Sequence, residues 1–399
     1  MKIVFWAPFG IRPKGTLQAR MLPLAQALQA RGHEVIVVAP PYTNPEDAGL
    51  VELVGGVSVR NILLGPLGGM AAAPLYAWRM LREALRHQPE LIHLFKPKGY
   101  GGLAALLLLV LRGCGLRLPP LVVDGDDREG TGGMNELLPY RWPEKRLFAL
   151  QEQWLIRWAD GVTVASRALE ILAWGMGARR QQTLYLPNGP VWREGGARQR
   201  GRERFGIASD APVLLVYTRF FEFTQERLHQ VLEQLWRRLP TLVVLVVGQG
   251  RQGEEEALAQ AAIRGGYRAR LILAGWQEPD ALPDCLAAAD AALYLFDDTL
   301  INRTKCPAKL AELAAAGLPL VAERVGQIAE YLVHHESGLL VEPGDGDGLA
   351  AAAERLLTDR DLAARLGQTA ARRMVTDFGW ESAAARLERL YGEVRRRWR

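Results

Sequence analysis

Short apolar, β-branched runs alternate along most of the chain with longer segments whose apolar residues recur at helical spacing. In the first half, Lys2–Ala7, Glu34–Val38, Leu91–Phe95, Leu121–Val123 and Gly161–Ala165 read as buried strands, with Leu17–Arg31 and Trp142–Trp158 as helices between them. The alternation restarts at Val213–Tyr217. Leu242–Val247, Leu271–Ala274, Ala291–Leu295, Pro319–Ala322 and Gly338–Val341 follow as strands, separated by helices such as Gln225–Leu239. Such a pattern predicts parallel sheets with helices on both faces. The polar, Arg- and Gly-rich stretch Trp192–Gly206 reads as a linker. The expectation is two doubly wound, Rossmann-like α/β domains facing each other across a cleft, residues 1–190 and 191–379. Ligands of such sheets bind beyond the carboxyl ends of the strands.

Composition narrows the classes. Of 399 residues, 49% are hydrophobic and 23% charged, which excludes a largely disordered chain. Cys114, Cys285 and Cys306 lie far apart with no CxxC pair, which speaks against a disulfide framework or structural zinc and for a reducing, cytoplasmic setting. Met1–Trp6 runs straight into a core strand, so no signal peptide is expected. The apolar run Leu103–Leu111 is shorter than the ~20 residues that span a bilayer. Of 49 basic residues only seven are lysines (2, 14, 96, 98, 145, 305 and 309), leaving 42 arginines. They are dispersed and no nucleic-acid motif accompanies them, so no nucleic-acid partner is expected. The excess reads as genome base composition, or as groups meeting phosphates or an anionic surface. Arg79, Arg82 and Arg86 recur at helical spacing beside Leu75 and Trp78. With Arg141-Trp142 and the tail Arg395–Arg399 they would suit peripheral association with an anionic membrane, although ordinary helix faces give the same pattern.

Three loops after strands carry candidate chemistry. Pro8–Thr16 contains Gly10 and Gly15, and glycines there let backbone N–H groups approach a phosphate. It fits neither GxGxxG nor a P-loop, and a plain turn explains it as well. Acidic groups crowd Asp124-Gly125-Asp126-Asp127-Arg128-Glu129 at the mouth of an apolar strand. They would repel one another unless a cation, hydroxyls or a shared proton intervened; a solvated acidic turn is the plainer explanation. In Asn302–Pro319, Lys309 and Glu312 sit three apart on one helix face. Glu312 lies among Leu310, Ala311, Leu313 and Ala314, where a carboxylate rarely sits unpartnered, although a surface Lys–Glu pair would read the same way.

Lys305–Val321, Gly326–Glu330, Glu336–Val341 and Pro343-Gly344-Asp345 together resemble the donor-binding region of retaining GT-B glycosyltransferases of family 4. Gly32-His33-Glu34-Val35 is similar to that family's second-strand entry, Leu186-Pro187-Asn188-Gly189 to its interdomain hinge, and Ala274-Gly275-Trp276 with Ala289-Asp290 to its nucleotide-side loops. Phe378–Tyr391 resembles the final helix that returns to the first domain, here 380–399. The resemblance implies a nucleotide-sugar donor as substrate, a hydroxyl acceptor, and no metal or other cofactor. It implies Glu312 on the ribose hydroxyls and Arg219 on the diphosphate, with Gly15, Gly248, Trp276, Lys305 and Lys309 also on the donor side. The family's first motif glutamate falls on Thr304, and the lysine partner of Arg219 falls on Thr224; Lys309 or Lys305 would supply that charge. Asp126 falls at or next to the histidine that the family places near the reacting carbon, which makes it the candidate catalytic residue, with Asp124 and Asp127 beside it. The rivals are an Asp-x-Asp metal–nucleotide site of another glycosyltransferase fold, a sugar-nucleotide epimerase, and a non-catalytic subunit that binds a sugar nucleotide or a partner glycosyltransferase.

Overall fold

The computed structural model describes residues 1–12, 17–66, 68–191 and 195–398. Eight strands form the first sheet: β1 (Lys2–Trp6), β2 (Glu34–Ala39), β3 (Val51–Val54), β4 (Val57–Asn61), β5 (Leu91–Phe95), β6 (Leu121–Gly125), β7 (Gly161–Val164) and β8 (Thr183–Tyr185). Their order is β3-β4-β2-β1-β5-β6-β7-β8, parallel throughout except for the β3–β4 hairpin. Six form the second: β9 (Val213–Tyr217), β10 (Val243–Val247), β11 (Leu271–Gly275), β12 (Ala291–Tyr294), β13 (Leu320–Glu323) and β14 (Leu339–Val341). Their order is β11-β10-β9-β12-β13-β14, all parallel. The central strands are apolar at nearly every position because helices cover both faces.

The chain divides into two compact units. One comprises Met1–Asn188, Thr304–Cys306 and Gly379–Arg399; the other comprises Gly189–Arg303 and Pro307–Phe378. In the first, Ile3, Phe5, Val35, Val37 and Leu91 pack with Leu24 and Leu28, and with Leu387, Tyr391 and Val394 of the helix Trp380–Trp398. In the second, Leu214, Val216, Val244, Leu293 and Val321 pack with Leu228, Val231 and Leu235 of the helix Gln225–Arg238.

Three elements differ from the sequence expectation. The β3–β4 hairpin, turned by Gly55-Gly56 in left-handed backbone, extends the first sheet beyond β2. Three-residue β8 closes its other edge. The stretch read as a linker holds the helix Arg198–Arg204. Arg202 of that helix is buried, with its guanidinium on the carbonyls of Ala208, Ser209 and Ala288 and on Asp290. Strand order reverses between β1 and β5 in one sheet and between β9 and β12 in the other, and these are the places where open α/β sheets hold ligands.

Candidate active site

At the switch point of the second sheet, β9 ends in Tyr217-Thr218-Arg219. Thr218 N donates to Val247 O at 2.9 Å, and Gly248 N donates to Gly275 O at 2.8 Å, so the ends of β9, β10 and β11 are stitched together. Gly248 has φ +122°, and a Cβ there would stand 1.8 Å from the Thr218 carbonyl oxygen; only glycine fits. Arg219 is exposed just beyond this seam. Next to it, buried Phe220 holds a left-handed φ of +66°, backbone strain of the sort found at ligand sites.

The helix Ala308–Ala315 brings two side chains to Tyr217. Lys309 Nζ lies 4.2 Å from the ring centroid, a cation–π contact. The Tyr217 hydroxyl donates to the Glu312 carboxylate, and burial together with that contact pushes the phenol pKa up. The pocket here is lined by Tyr217, Thr218, Glu222, Tyr294, Leu295 and Lys309 among others. Lys309 and Glu312 thus meet around an aromatic ring at a strand end, an arrangement the solvated-pair explanation does not anticipate. Trp276 is exposed after β11. Thr224 precedes the helix Gln225–Arg238 and donates to Asp297 at 2.7 Å. One turn on, Arg227 pairs with Asp297 and with fully buried Glu323, a cation that sequence reasoning missed. Asp290, expected on the nucleotide side, instead precedes β12 at the amino edge. There it accepts from Val213 N, Arg198 and Arg202.

The switch point of the first sheet is built around the acidic loop after β6. Asp124 is fully buried and chelates the Arg20 guanidinium at 2.6 and 2.8 Å; Thr163 Oγ1 also donates to it. Arg20 lies in a π-helical turn, Leu17–Met21, and donates to Leu186 O and Asn188 Oδ1 at 2.9 Å. Burial would raise Asp124, but Arg20 holds it below the usual carboxylate range. Asp124 is therefore occupied as the anchor of a buried arginine.

Lys96 follows β5 with a left-handed φ of +56°. Its ammonium lies 2.6 Å from Asp127 Oδ2, 2.9 Å from Asp126 Oδ1 and 3.4 Å from Glu129 Oε1. Lys98 adds a 2.6 Å contact to Glu129 Oε2 and a 3.0 Å bond to Asn135. Ligand oxygens of Asp126, Asp127 and Glu129 come within 4.8 Å of one another, and Lys96 supplies a positive charge to all three. Asp124 thus answers chiefly to Arg20 and Asp126 chiefly to Lys96. The Lys96 contact to Asp126 is off the hydrogen-bond direction, so buried Asp126 Oδ1 has no hydrogen-bond partner among the described residues. Burial, with repulsion from Asp127 and Asp124, outweighs Lys96 and pushes Asp126 up to about 7. Asp127 is opposed by burial too, yet Lys96 and then Lys305 hold it low. Lys305 falls in this first unit, where its charge acts on Asp127. Gly15 lies outside the described residues.

The family model described as Glycosyl transferase 4-like domain matches residues 15–189, and that described as Glycosyl transferases group 1 matches residues 211–359. Together they span most of the chain, which belongs to the GT-B glycosyltransferases of the family 4 type. Among solved structures it is similar to sucrose-phosphate synthase from Thermosynechococcus elongatus, with a TM-score of 0.75 at 20% identity over 98% of each chain. Anabaena HepE, solved in complex with UDP and glucose, gives a TM-score of 0.74 at 19% identity over 98% of this chain and 100% of that one. Likeness at that identity speaks to fold. The lipopolysaccharide core biosynthesis glycosyltransferase LpsE of Rhizobium meliloti is 29% identical over 45% of this chain and 50% of its own. D-inositol 3-phosphate glycosyltransferase of Xylanimonas cellulosilytica is 28% identical over 65% of this chain and 63% of its own. These two matches span between half and just under two thirds of the relatives' length.

Proposed function

We propose that the chain transfers a glycosyl group, with retention, from a nucleoside diphosphate sugar to a hydroxyl of an acceptor. The observation that carries this reading is the Tyr217–Lys309–Glu312 arrangement at the switch point of the second sheet. There Glu312 would accept from the ribose hydroxyls, while Arg219 and Lys309 would meet the diphosphate. Gly248 keeps the strand ends low enough for the nucleotide to approach, and Trp276 offers a ring at the same edge. Breaking the bond between the anomeric carbon and the diphosphate oxygen leaves its electron pair on that oxygen, and positive charge grows on the sugar. Arg219 and Lys309 stabilise the leaving group without a divalent cation. The acceptor hydroxyl attacks from the same face, and its proton passes to the departing phosphate oxygen. Asp126 of the first unit, whose Oδ1 has no hydrogen-bond partner among the described residues, would steady the developing sugar cation or orient the acceptor hydroxyl.

Titration calorimetry with nucleoside diphosphates tests the donor side. Glu312→Ala and Arg219→Ala should each weaken binding by roughly 10- to 100-fold, since charge-assisted hydrogen bonds contribute about 1.5–3 kcal/mol. Parent-like affinity in both variants would overturn the assignment. A panel of labelled sugar nucleotides would then identify the donor by turnover.

A further inference from the structure

In the first unit, the helices Gly69–Arg86, Gly99–Gly113 and Trp142–Trp158 pack side by side in that order, forming one layer. The outer surface of this layer is unusual for a water-facing one. On the third helix, Trp142, Arg146, Leu150, Trp154 and Trp158 recur every fourth residue and are all exposed, with Trp142 at 70%, Trp154 at 48% and Trp158 at 62%. On the first, Met70, Leu75, Trp78, Arg82 and Arg86 are exposed, and on the middle helix Val110 is. No exposed residue of the three helices is acidic. Glu83 is part-buried and paired with Arg86 and His87, Glu144 caps the backbone of Arg141, and Glu152 is buried under Arg128. Arg146 and Arg157 lie 5.4 Å from the Trp142 and Trp158 ring centroids, so that charge and aromatic surface are presented together. A soluble helix face of this size carries mixed charge; this one has four tryptophans and arginines of a single sign.

We infer that this three-helix layer is a docking surface for an anionic lipid bilayer, with the tryptophans seated at headgroup depth and the arginines on lipid phosphates. Tryptophan suits that depth because one end of the ring system is apolar and its N–H is polar. The anionic lipid is indicated by the single sign of charge, which a zwitterionic or neutral surface would not reward. In the carboxy-terminal tail, Arg395 pairs with Glu90, and the Trp398 ring lies under Arg112 of the middle helix at 3.7 Å. The surface goes beyond the glycosyl-transfer reading, giving the enzyme a place to meet an acceptor carried on a lipid.

Flotation of the full chain with vesicles of phosphatidylcholine alone, and of phosphatidylcholine mixed with phosphatidylglycerol, tests it without any turnover. Binding to the mixed vesicles alone, weakening with salt, is the expected result. Arg146→Glu with Arg157→Glu should cut partitioning at least about fivefold per charge, from ~1 kcal/mol each. Trp142→Ser with Trp154→Ser and Trp158→Ser should sharply reduce the shift of tryptophan emission on binding, leaving only the contribution of Trp78. Both variants alter exposed positions, and circular dichroism confirms their fold. Vesicle binding that survives both changes, or no binding at low salt, overturns the inference. So does self-association of the parent that the same changes dissolve, since the face would then be a protein interface. Nucleoside diphosphate binding measured on the same variants should stay at the parent value, which separates this failure from failure of the donor assignment.

Discussion

At the scale of single residues, two aspartates two positions apart, Asp124 and Asp126, have opposite electrostatic fates. Asp126 is raised from 3.8 to about 7 in the folded chain. The folded state therefore holds an extra proton between those values, and stability falls as pH rises through that window. Asp126→Asn removes the penalty, so the variant should melt above the parent at pH values beyond 7 and alike below 4. Turnover should drop by about 10²-fold or more, the scale of a lost acid–base group, while nucleotide affinity hardly changes. The parent's rate should rise through neutrality as the carboxylate ionises, and a flat profile there would return Asp126 to a structural role. Asp124 has the other sign. Its pKa is lowered, so it contributes stability above its unfolded value of 3.8 that is lost as pH falls through the folded one. Asp124→Asn strands the buried Arg20 charge and should cost about 3–5 kcal/mol in urea unfolding at neutral pH. A loss below about 1 kcal/mol would mean that water reaches the pair.

At the scale of elements, the long buried strands were legible because helices on both faces demand an unbroken apolar run. Short edge pieces were not. Val51–Val54 and Val57–Asn61 alternate too briefly, and Thr183–Tyr185 is three residues long; each exists because a neighbouring strand offers a ladder. The helix Arg198–Arg204 looks like a linker in sequence because its support, Asp284 and Asp290, lies more than eighty residues away. The acidic loop is the clearest case. Its residues show the repulsion but not the remedy, since Lys96 and Lys98 arrive from the end of a different strand. One signal was present: lysine is scarce in this chain, and two of the seven stand together at a strand end. Gly248 tests how far strand ends govern the site. Gly248→Ala must move the Thr218 carbonyl or twist the strand, at roughly 1–3 kcal/mol for the forced backbone. The variant should remain folded yet bind nucleotide more weakly than the parent. Unaltered binding would show that the β9–β10 seam does not position the ligand.

At the scale of the whole molecule, each unit carries its own sheet, core and switch point, and the chain visits the first unit three separate times. The last visit is structural: Tyr391 of the terminal helix donates to His93 at 2.6 Å, and His93 in turn contacts Thr163, which holds Asp124. A polar line thus runs from the carboxy-terminal helix to the anchored arginine through the centre of the first sheet. Burial holds His93 down to about 3, which keeps that line neutral at its middle.

The scarcity of lysine also makes the protein unusually readable by amine chemistry. Of its seven primary amines on side chains, Lys96 and Lys98 follow β5, Lys309 lies against Tyr217 and Lys305 acts on Asp127; Lys2 and Lys145 are part-exposed elsewhere, and Lys14 lies outside the described residues. Acylation followed by peptide mass mapping therefore yields few signals, and most of them report on ligand sites. Lys2 and Lys145 should react at the same rate with and without a nucleoside diphosphate, while Lys309 should slow when it binds. Lys96, enclosed by three carboxylates, should stay unmodified until the chain unfolds. A Lys309 rate indifferent to nucleotide would move the phosphate contact to another residue, and the forty-two arginines would add no background to the measurement.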